Sequence, residues 1–435
     1  MLPALVVADD LTGACDTGHE FAARGYGTRV ALDPPGDPDG ADVLVVDTDS
    51  RYTPAEAAAE SVRAAVGAHR AATVYKKVDS TLRGNVASEV DAALSAVIEW
   101  RRADGDAGGA AGGFAVVAPA SPATGRTTAC GYHLVDGSLV TESDPGRDPE
   151  KGPASASLPD LFADVSLPVH HVGIDAVASG PAAVAEALRV QAGEARIVTA
   201  DATHGTHLSA LAVGAGQVDE PVVSVGSAGL AGRVAVPGEP GDGDGPLDVS
   251  SPAGADGVLG VAGSVAPQTL AALAAVPDAA VVTLDPEAAV ADPDGTTRRT
   301  AERGRETLER EGRAVLTAAT DRSAVDRAVS AGRAEGLSSR ETRDRVAAAL
   351  AGTAADIAGA GQPAGLVLTG GDTAVAVLDA LGADAIALSG EAVEAGVPLG
   401  AVAGGTADGT ALITKAGAFG GQETVVNCLD YLREL

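Results

Sequence analysis

The sequence predicts an α/β protein of two domains, each a mainly parallel sheet flanked by helices. Short apolar runs rich in Val, Leu and Ala alternate with longer stretches of helical period along almost the whole chain, the pattern of βαβ units with right-handed crossovers. That alternation stops once, at residues 237–256, where Pro237-Gly238-Glu239-Pro240-Gly241-Asp242-Gly243-Asp244-Gly245-Pro246 is too poor in apolar side chains to build a core and reads as a linker. A chain of 435 residues also exceeds what one core commonly supports. The expected divisions are residues 1–235, a linker at 236–256, and 257–435, with a long cleft between two α/β domains as the natural place for a reaction that joins two substrates.

In the first half, continuous apolar runs place strands at 4–10, 28–32, 42–48, 73–78, 114–119, 170–173, 196–200 and 221–225. Apolar residues at helical spacing place helices at 11–24, from Pro54 (proline in a first turn) to 70, from Val86, at 181–191 and at 204–213. A Gly/Ala-rich loop is expected at 104–113 and a polar, hairpin-like excursion at 132–148. In the second half the same patterns give strands at 257–262, 280–284, 314–318, 366–369, 385–388 and 411–414. Helices are expected from Pro267 and at 296–311, 323–331, 338–358, 372–381 and 423–432.

A net charge of -30 and a pI near 4.4 argue against nucleic acid or an anionic membrane as a partner. The acids are spread along a chain that is 46% hydrophobic, so they do not form a disordered tail. Sixty acidic residues with little lysine fit a protein working in concentrated salt, which screens such self-repulsion. Cys15, Cys130 and Cys428 lie far apart with no paired spacing and are expected as free thiols of a reducing cytoplasm. No signal peptide is recognised before the first strand, and no apolar run approaches the ~20 residues that span a bilayer.

Only four residues are lysine, Lys76, Lys77, Lys151 and Lys415, against twenty-six arginines. Two of the four stand in Val74-Tyr75-Lys76-Lys77-Val78-Asp79-Ser80-Thr81-Leu82-Arg83-Gly84-Asn85, where a strand gives way to a helix. Ligands bind at that edge of open α/β sheets, and compact cations retained there suit an anion. Asp79, Ser80 and Thr81 are read as polar residues leading into the helix from Val86. Asp9-Asp10-Leu11-Thr12-Gly13-Ala14 sits at the end of the first strand; neighbouring carboxylates repel, so one should hold a cation or hydroxyl, and either could orient or deprotonate an alcohol. Phosphatases of the haloacid dehalogenase type separate such a pair by one residue, whereas Asp9 and Asp10 are direct neighbours.

Three strand-to-helix turns of the second half are glycine-rich. Gly263-Ser264 precedes Pro267; Thr369-Gly370-Gly371-Asp372-Thr373 and Lys415-Ala416-Gly417-Ala418-Phe419-Gly420-Gly421 repeat the arrangement. Bare amides at helix starts attract phosphate, so three such turns together suggest a nucleotide cradle. Asp372 is placed to cap its helix, to bind a ribose hydroxyl or to hold Mg²⁺ through water. Neither GxxxxGK[ST] nor a GxGxxG after the first strand is present. The histidines, including His204 and His207, form no ligand pattern, and no metal ligands can be assigned.

Together these segments resemble the four-carbon acid sugar kinase family (threonate, erythronate and 3-oxo-tetronate kinases). The resemblance rests on the Asp9–Asp10 segment, Asp47-Thr48-Asp49-Ser50-Arg51, residues 76–85, Gly125-Arg126-Thr127 and the three glycine turns, in order over almost the whole chain. It implies an N-terminal acid-sugar domain and a C-terminal ATP domain. Carried over, Asp9, Asp10, Lys76 and Arg83 would serve catalysis, while Asp79, Ser80, Arg51 and Arg126 would bind the sugar acid. Gly263, Ser264, Gly370, Gly371, Asp372, Thr373, Lys415 and Gly417 would hold ATP, with Mg²⁺ bridging its phosphates. The expected partners are a small sugar acid and ATP, with no nucleic acid and no membrane; a homodimer is compatible with the sequence, which does not decide the oligomeric state. A sugar-phosphate phosphatase or isomerase, or a sugar-acid sensor without turnover, are the alternatives.

Overall fold

Strand β1 (Leu2–Ala8) is apolar along its length and buried through its last five residues, as a strand covered by helices on both faces must be. In the computed structural model it lies inside a parallel sheet whose order is β2-β3-β1-β4-β11-β5-β10-β9. The partners are β2 (Thr28–Ala31), β3 (Val43–Asp47), β4 (Ala71–Lys77), β5 (Phe114–Ala118), β9 (Val169–Val172), β10 (Arg196–Ala200) and β11 (Val222–Gly226). The structure describes residues 1–33, 40–103, 112–190, 196–240, 245–252, 254–417 and 419–435, so parts of the expected loop at 104–113 and linker at 237–256 lie outside the described residues. Contacts divide the chain into two units, Met1–Gly245 and Pro246–Leu435.

One face of the first sheet packs on helices α2 (Ala55–Ala68) and α3 (Val86–Ala103), where Leu5, Val7, Leu44, Val46, Val62, Val90 and Leu94 form one core. Helix α1 (Leu11–Ala22) packs against β1, β2 and β3 and brings Phe21 edge-on to Tyr75. The excursion forms a separate antiparallel sheet of β6 (Arg126–Ala129), β7 (Tyr132–Val135) and β8 (Ser138–Leu139).

The second unit is ordered β13-β14-β12-β15-β18-β17-β16. Strands β12 (Val258–Ala262), β13 (Val281–Thr283), β14 (Arg313–Thr317), β15 (Gly365–Thr369) and β18 (Ala411–Lys415) run parallel. Strands β16 (Ala385–Glu394) and β17 (Val397–Ala403) complete it as an antiparallel hairpin. Sequence periodicity expects only 385–388 there, because Gly390 and Gly396, both with positive φ, interrupt the apolar alternation. A six-residue helix, Pro286–Ala291, is also shorter than periodicity resolves.

In each unit the first strand has its third strand on one side and its fourth on the other: β3-β1-β4 and β14-β12-β15. The direction of winding therefore reverses at β1 and again at β12. Such a switch point leaves a crevice at the carboxyl ends of the strands, the place where α/β sheets bind ligands.

Candidate active site

At the first switch point, the ends of β1, β3 and β4 bring together Asp9, Asp10, Arg51, Lys77, Asp79 and Arg83. Arg51 is the hub. Its Nε donates to Asp9 Oδ2 at 2.7 Å, and its two terminal nitrogens donate to Asp10 at 2.9 and 2.6 Å, a bidentate pairing. The same guanidinium stands 3.6 Å from Asp79. Burial works against charge on Arg51, but Asp10, Asp9 and Asp79 hold its pKa well above the usual arginine value.

Burial alone would raise Asp9; the charges of Arg51, Lys77 and Lys76 instead hold it well below the ordinary carboxylate range. Asp10 also caps α1, accepting from the Gly13 amide at 3.1 Å and from the Thr12 hydroxyl at 2.8 Å. Its side chain is 17% exposed against 3% for Asp9, so Asp10 is the carboxylate an incoming group can reach.

Adjacent residues on a strand face opposite sides of the sheet, and this separates the two lysines. Lys77 Nζ lies 3.5 Å from Asp9 and 3.9 Å from Asp10. A β-carbon on Gly13 would overlap the end of Lys77 and the Asp10 carboxylate, which accounts for the glycine in Thr12-Gly13-Ala14. Lys76 turns the other way. It is fully buried, its ammonium 2.9 Å from Glu89 of α3 and donating to the carbonyls of Val7 and Lys77 at 3.3 and 2.6 Å. The expectation that Lys76 meets the substrate is therefore corrected: Lys77 faces the aspartates, and Lys76 ties β4 to α3. Glu89 also accepts from Ser50 Oγ at 2.6 Å, which fixes the turn that presents Arg51. Glu89 stands on the inward stripe of α3 with Val86, Val90 and Ala93, a position where a carboxylate signals a buried partner.

Asp79 does not lead into α3, which begins at Val86; Leu82 takes a left-handed φ of 61° and stops helix before it. Asp79 accepts instead from Arg83 Nε at 2.7 Å, from the Arg83 terminal nitrogen at 2.9 Å and from the Thr81 hydroxyl. Against the effect of burial, Arg83 and Arg51 hold Asp79 well below its usual pKa. Ser80 lends its carbonyl to His133 Nε2 at 2.9 Å, and the Arg126 charge bears on the same histidine. Asp47, at the end of β3, is pushed up to about 8: burial leads, the Asp49 amide opposes it, and the charges of Asp10, Asp49 and Asp9 add to it.

In the second unit the three glycine turns adjoin, because β12, β15 and β18 are neighbours with Ala262 opposite Thr369 and Thr369 opposite Lys415. A β-carbon on Gly263 would overlap the Thr373 side chain, and one on Gly417 would overlap Ser264 Oγ. Gly370, with φ 99°, holds its Cα over Ser264 in a region open to glycine. The helices Pro267–Ala274 and Gly371–Leu381 start with no side-chain cap among the described residues, so their first-turn amides, from Gln268 in the one and Gly371 in the other, remain available to an anion. The Thr369 hydroxyl is buried there with no hydrogen-bond partner among the described residues. Glycine-lined backbone, uncapped amides and an orphan hydroxyl fit a phosphorylated nucleotide. Asp372 is exposed in the first turn of its helix, and Lys415 is buried, donating to the carbonyls of Ala416 and Gly417 at 3.1 and 3.5 Å. Lys415 thus holds the turn. Residue 418 lies outside the described residues. Beside the turns, Pro267, Gln268, Ala271, Gly420, Gly421 and Gln422 bound a cavity of about 270 Å³.

Residues 4–234 match the family described as sugar-binding N-terminal domain, and residues 259–425 match the nucleotide-binding C-terminal domain. A D-threonate kinase of Bordetella bronchiseptica is 36% identical over 99% of this chain and 97% of its own. A D-erythronate kinase of Heliobacterium modesticaldum is 33% identical over the same shares. The chain belongs to the four-carbon acid sugar kinase family. A 3-oxo-tetronate kinase of Methylobacterium radiotolerans is 32% identical over 98% of both chains. A crystal structure from Salmonella typhimurium LT2 shares the fold, with a TM-score of 0.76, 24% identity and 98% of each chain covered. Among the described residues no helix is long and apolar enough to cross a membrane.

Proposed function

We propose that this member of the family is an ATP-dependent kinase that phosphorylates the terminal hydroxyl of a four-carbon sugar acid. One observation carries the reading: full-length similarity to kinases of such acids, each similar along nearly its whole length. The geometry supplies the parts. Phosphoryl transfer depends on alignment and charge neutralisation more than on covalent chemistry. Arg83 pairs with Asp79 through Nε and one terminal nitrogen, and its side chain is 24% exposed, so the outer edge of its guanidinium can take the substrate carboxylate. Lys77, 3.5 Å from Asp9 and 3.9 Å from Asp10, supplies a positive charge beside them. Asp10 accepts the hydrogen bond of the attacking hydroxyl and takes its proton as the new P–O bond forms and the bond from the γ-phosphorus to the β,γ-bridging oxygen breaks, ADP leaving, while Arg51 fixes its carboxylate plane. Ser80 and Arg126, as the family resemblance implies, would contact the acid.

The ATP phosphates would lie on the turns of Gly263, Ser264, Gly370, Gly371, Thr373 and Gly417. Mg²⁺ would be held chiefly by phosphate oxygens and water, with Asp372, exposed in the first turn of its helix, a candidate to reach it through water; it would supply charge neutralisation at the transferring group. The acidic composition points to assay in concentrated salt, and the three free cysteines fit a reducing cytoplasm.

The test is ATP consumption in molar salt across threonate, erythronate and their 3-oxo forms. ADP should form one-to-one with phosphorylated acid for at least one of them. Phosphate release from a sugar phosphate without ATP, or saturable binding with no ADP, would overturn the reading in favour of a phosphatase or a sensor.

A further inference from the structure

The excursion between β5 and β9 contributes no reacting group, yet it grips the loop at 79–85 from several directions. His133 of β7 is fully buried, with Nδ1 3.0 Å from the Thr128 hydroxyl and Nε2 2.9 Å from the Ser80 carbonyl. A carbonyl only accepts, so Nε2 carries the proton and Nδ1 accepts from Thr128. Leu82, the left-handed residue of the loop, is buried against Val140, Ala156 and Leu158 of the excursion. Lys151 closes the grip: its carbonyl accepts the Gly84 amide at 2.9 Å, and its ammonium donates to Asn85 Oδ1 at 2.9 Å and to the Thr53 carbonyl at 2.8 Å.

A leucine in the left-handed region is strained and persists only where its surroundings over-determine it. The same loop carries Asp79 and Arg83, whose ion pair exists only while the chain doubles back over these few residues. We propose that the excursion is the buttress of the acid-sugar loop, and that His133 is a positioning residue acting on Asp79 and Arg83 through the Ser80 carbonyl. This rests on the kinase reading for its catalytic consequence but not for its structural one. Lys151 acts from the other end of the loop and couples it to the Thr53 turn beside Arg51. The three contacts touch different residues, so loss of one should loosen the loop without unfolding the sheet.

The test uses the full chain with two readouts. In His133→Leu, hydrogen–deuterium exchange of the peptide covering 79–85, which contains the bonded amides of Leu82, Arg83 and Gly84, should quicken at least tenfold, with peptides of β1 and β5 unchanged. KM for the sugar acid should rise about tenfold, with KM for ATP within twofold. His133→Gln, which returns an N–H near Nε2, should lie within threefold of the parent in both. Unchanged exchange at 79–85, acceleration spread over the whole unit, or equal rises in both KM values would overturn the proposal. If His133→Leu does not fold, Lys151→Met is read by the same exchange, and no acceleration there overturns it. A parent enzyme inactive on every four-carbon acid would defeat the kinase reading, while the exchange result would still decide the buttress.

Discussion

Replacing Lys76 by Met separates the roles of two neighbouring lysines. The substitution is nearly isosteric but leaves the Glu89 carboxylate, itself 1% exposed, with Ser50 as its remaining described hydrogen-bond partner. Breaking a buried ion pair from one side commonly costs about 3–5 kcal/mol. At about 2–4 °C per kcal/mol for a unit of this size, the unfolding transition should drop by roughly 6–20 °C. The double change Lys76→Met/Glu89→Gln removes both charges and should regain most of the loss. Because the pair is shielded from solvent, the deficit should persist between dilute and molar salt, unlike that of a surface pair. Lys77→Met should lower turnover about a hundredfold or more; Lys77 is buried too, but Asp9 keeps Arg51 at 2.7 Å, so its unfolding transition should fall less than that of Lys76→Met. Thermal unfolding in two salt concentrations, beside ATP turnover, reads both. A Lys76→Met protein that unfolds within a degree of the parent, or a Lys77→Met protein with normal turnover, would refute the assignment.

Three further outcomes are expected. Asp10→Asn should lower kcat at least a hundredfold with the KM for ATP nearly unchanged, as steady-state kinetics would show; near-normal kcat would remove Asp10 from the proposed chemistry. Gly263→Ala pushes a methyl into the Thr373 side chain and should raise the KM for ATP about tenfold while sparing the sugar acid; equal effects on both would count against the cradle. Asp47, at about 8, keeps a proton in the folded protein that the unfolded chain, near 3.9, has released. Its contribution therefore destabilises progressively as pH rises from about 4 to about 8 and is level above that. Asp47→Asn should flatten this part of the profile in unfolding melts, and an unchanged slope would show that burial does not hold the proton.

Much of this was legible in the residues. Apolar runs located most strands of both sheets, because strands buried on both faces leave a continuous signal. The glycine turns could be paired with strand ends, and their convergence follows from β12, β15 and β18 being neighbours. What one-dimensional pattern does not carry is which side of a strand faces which helix. Lys76 and Lys77 are chemically alike and adjacent, and only the register Val7 opposite Lys76 decides between them. His133 and Lys151 were equally hidden: neither belongs to a sequence motif, and only the fold brings them against Ser80, Gly84 and Asn85 of the 74–85 segment. Glu89 did leave a trace, as an acid on an inward helical stripe.

The order of strands bears on how the chain comes off the ribosome. Asp9, Arg51, Lys77 and Arg83 all emerge early, and the buttress that steadies them is finished by residue 158, before the first sheet gains β9 and β10 at its edge and β11 between β4 and β5. The cradle is built the other way round. Its middle turn follows β15, but the last wall waits for β18, the final strand made. Until Ala411–Lys415 arrives, β15 presents a bare edge of unpaired backbone that invites mispairing, so a chain halted just short of β18 would carry a formed acid pocket and an unclosed, aggregation-prone second sheet.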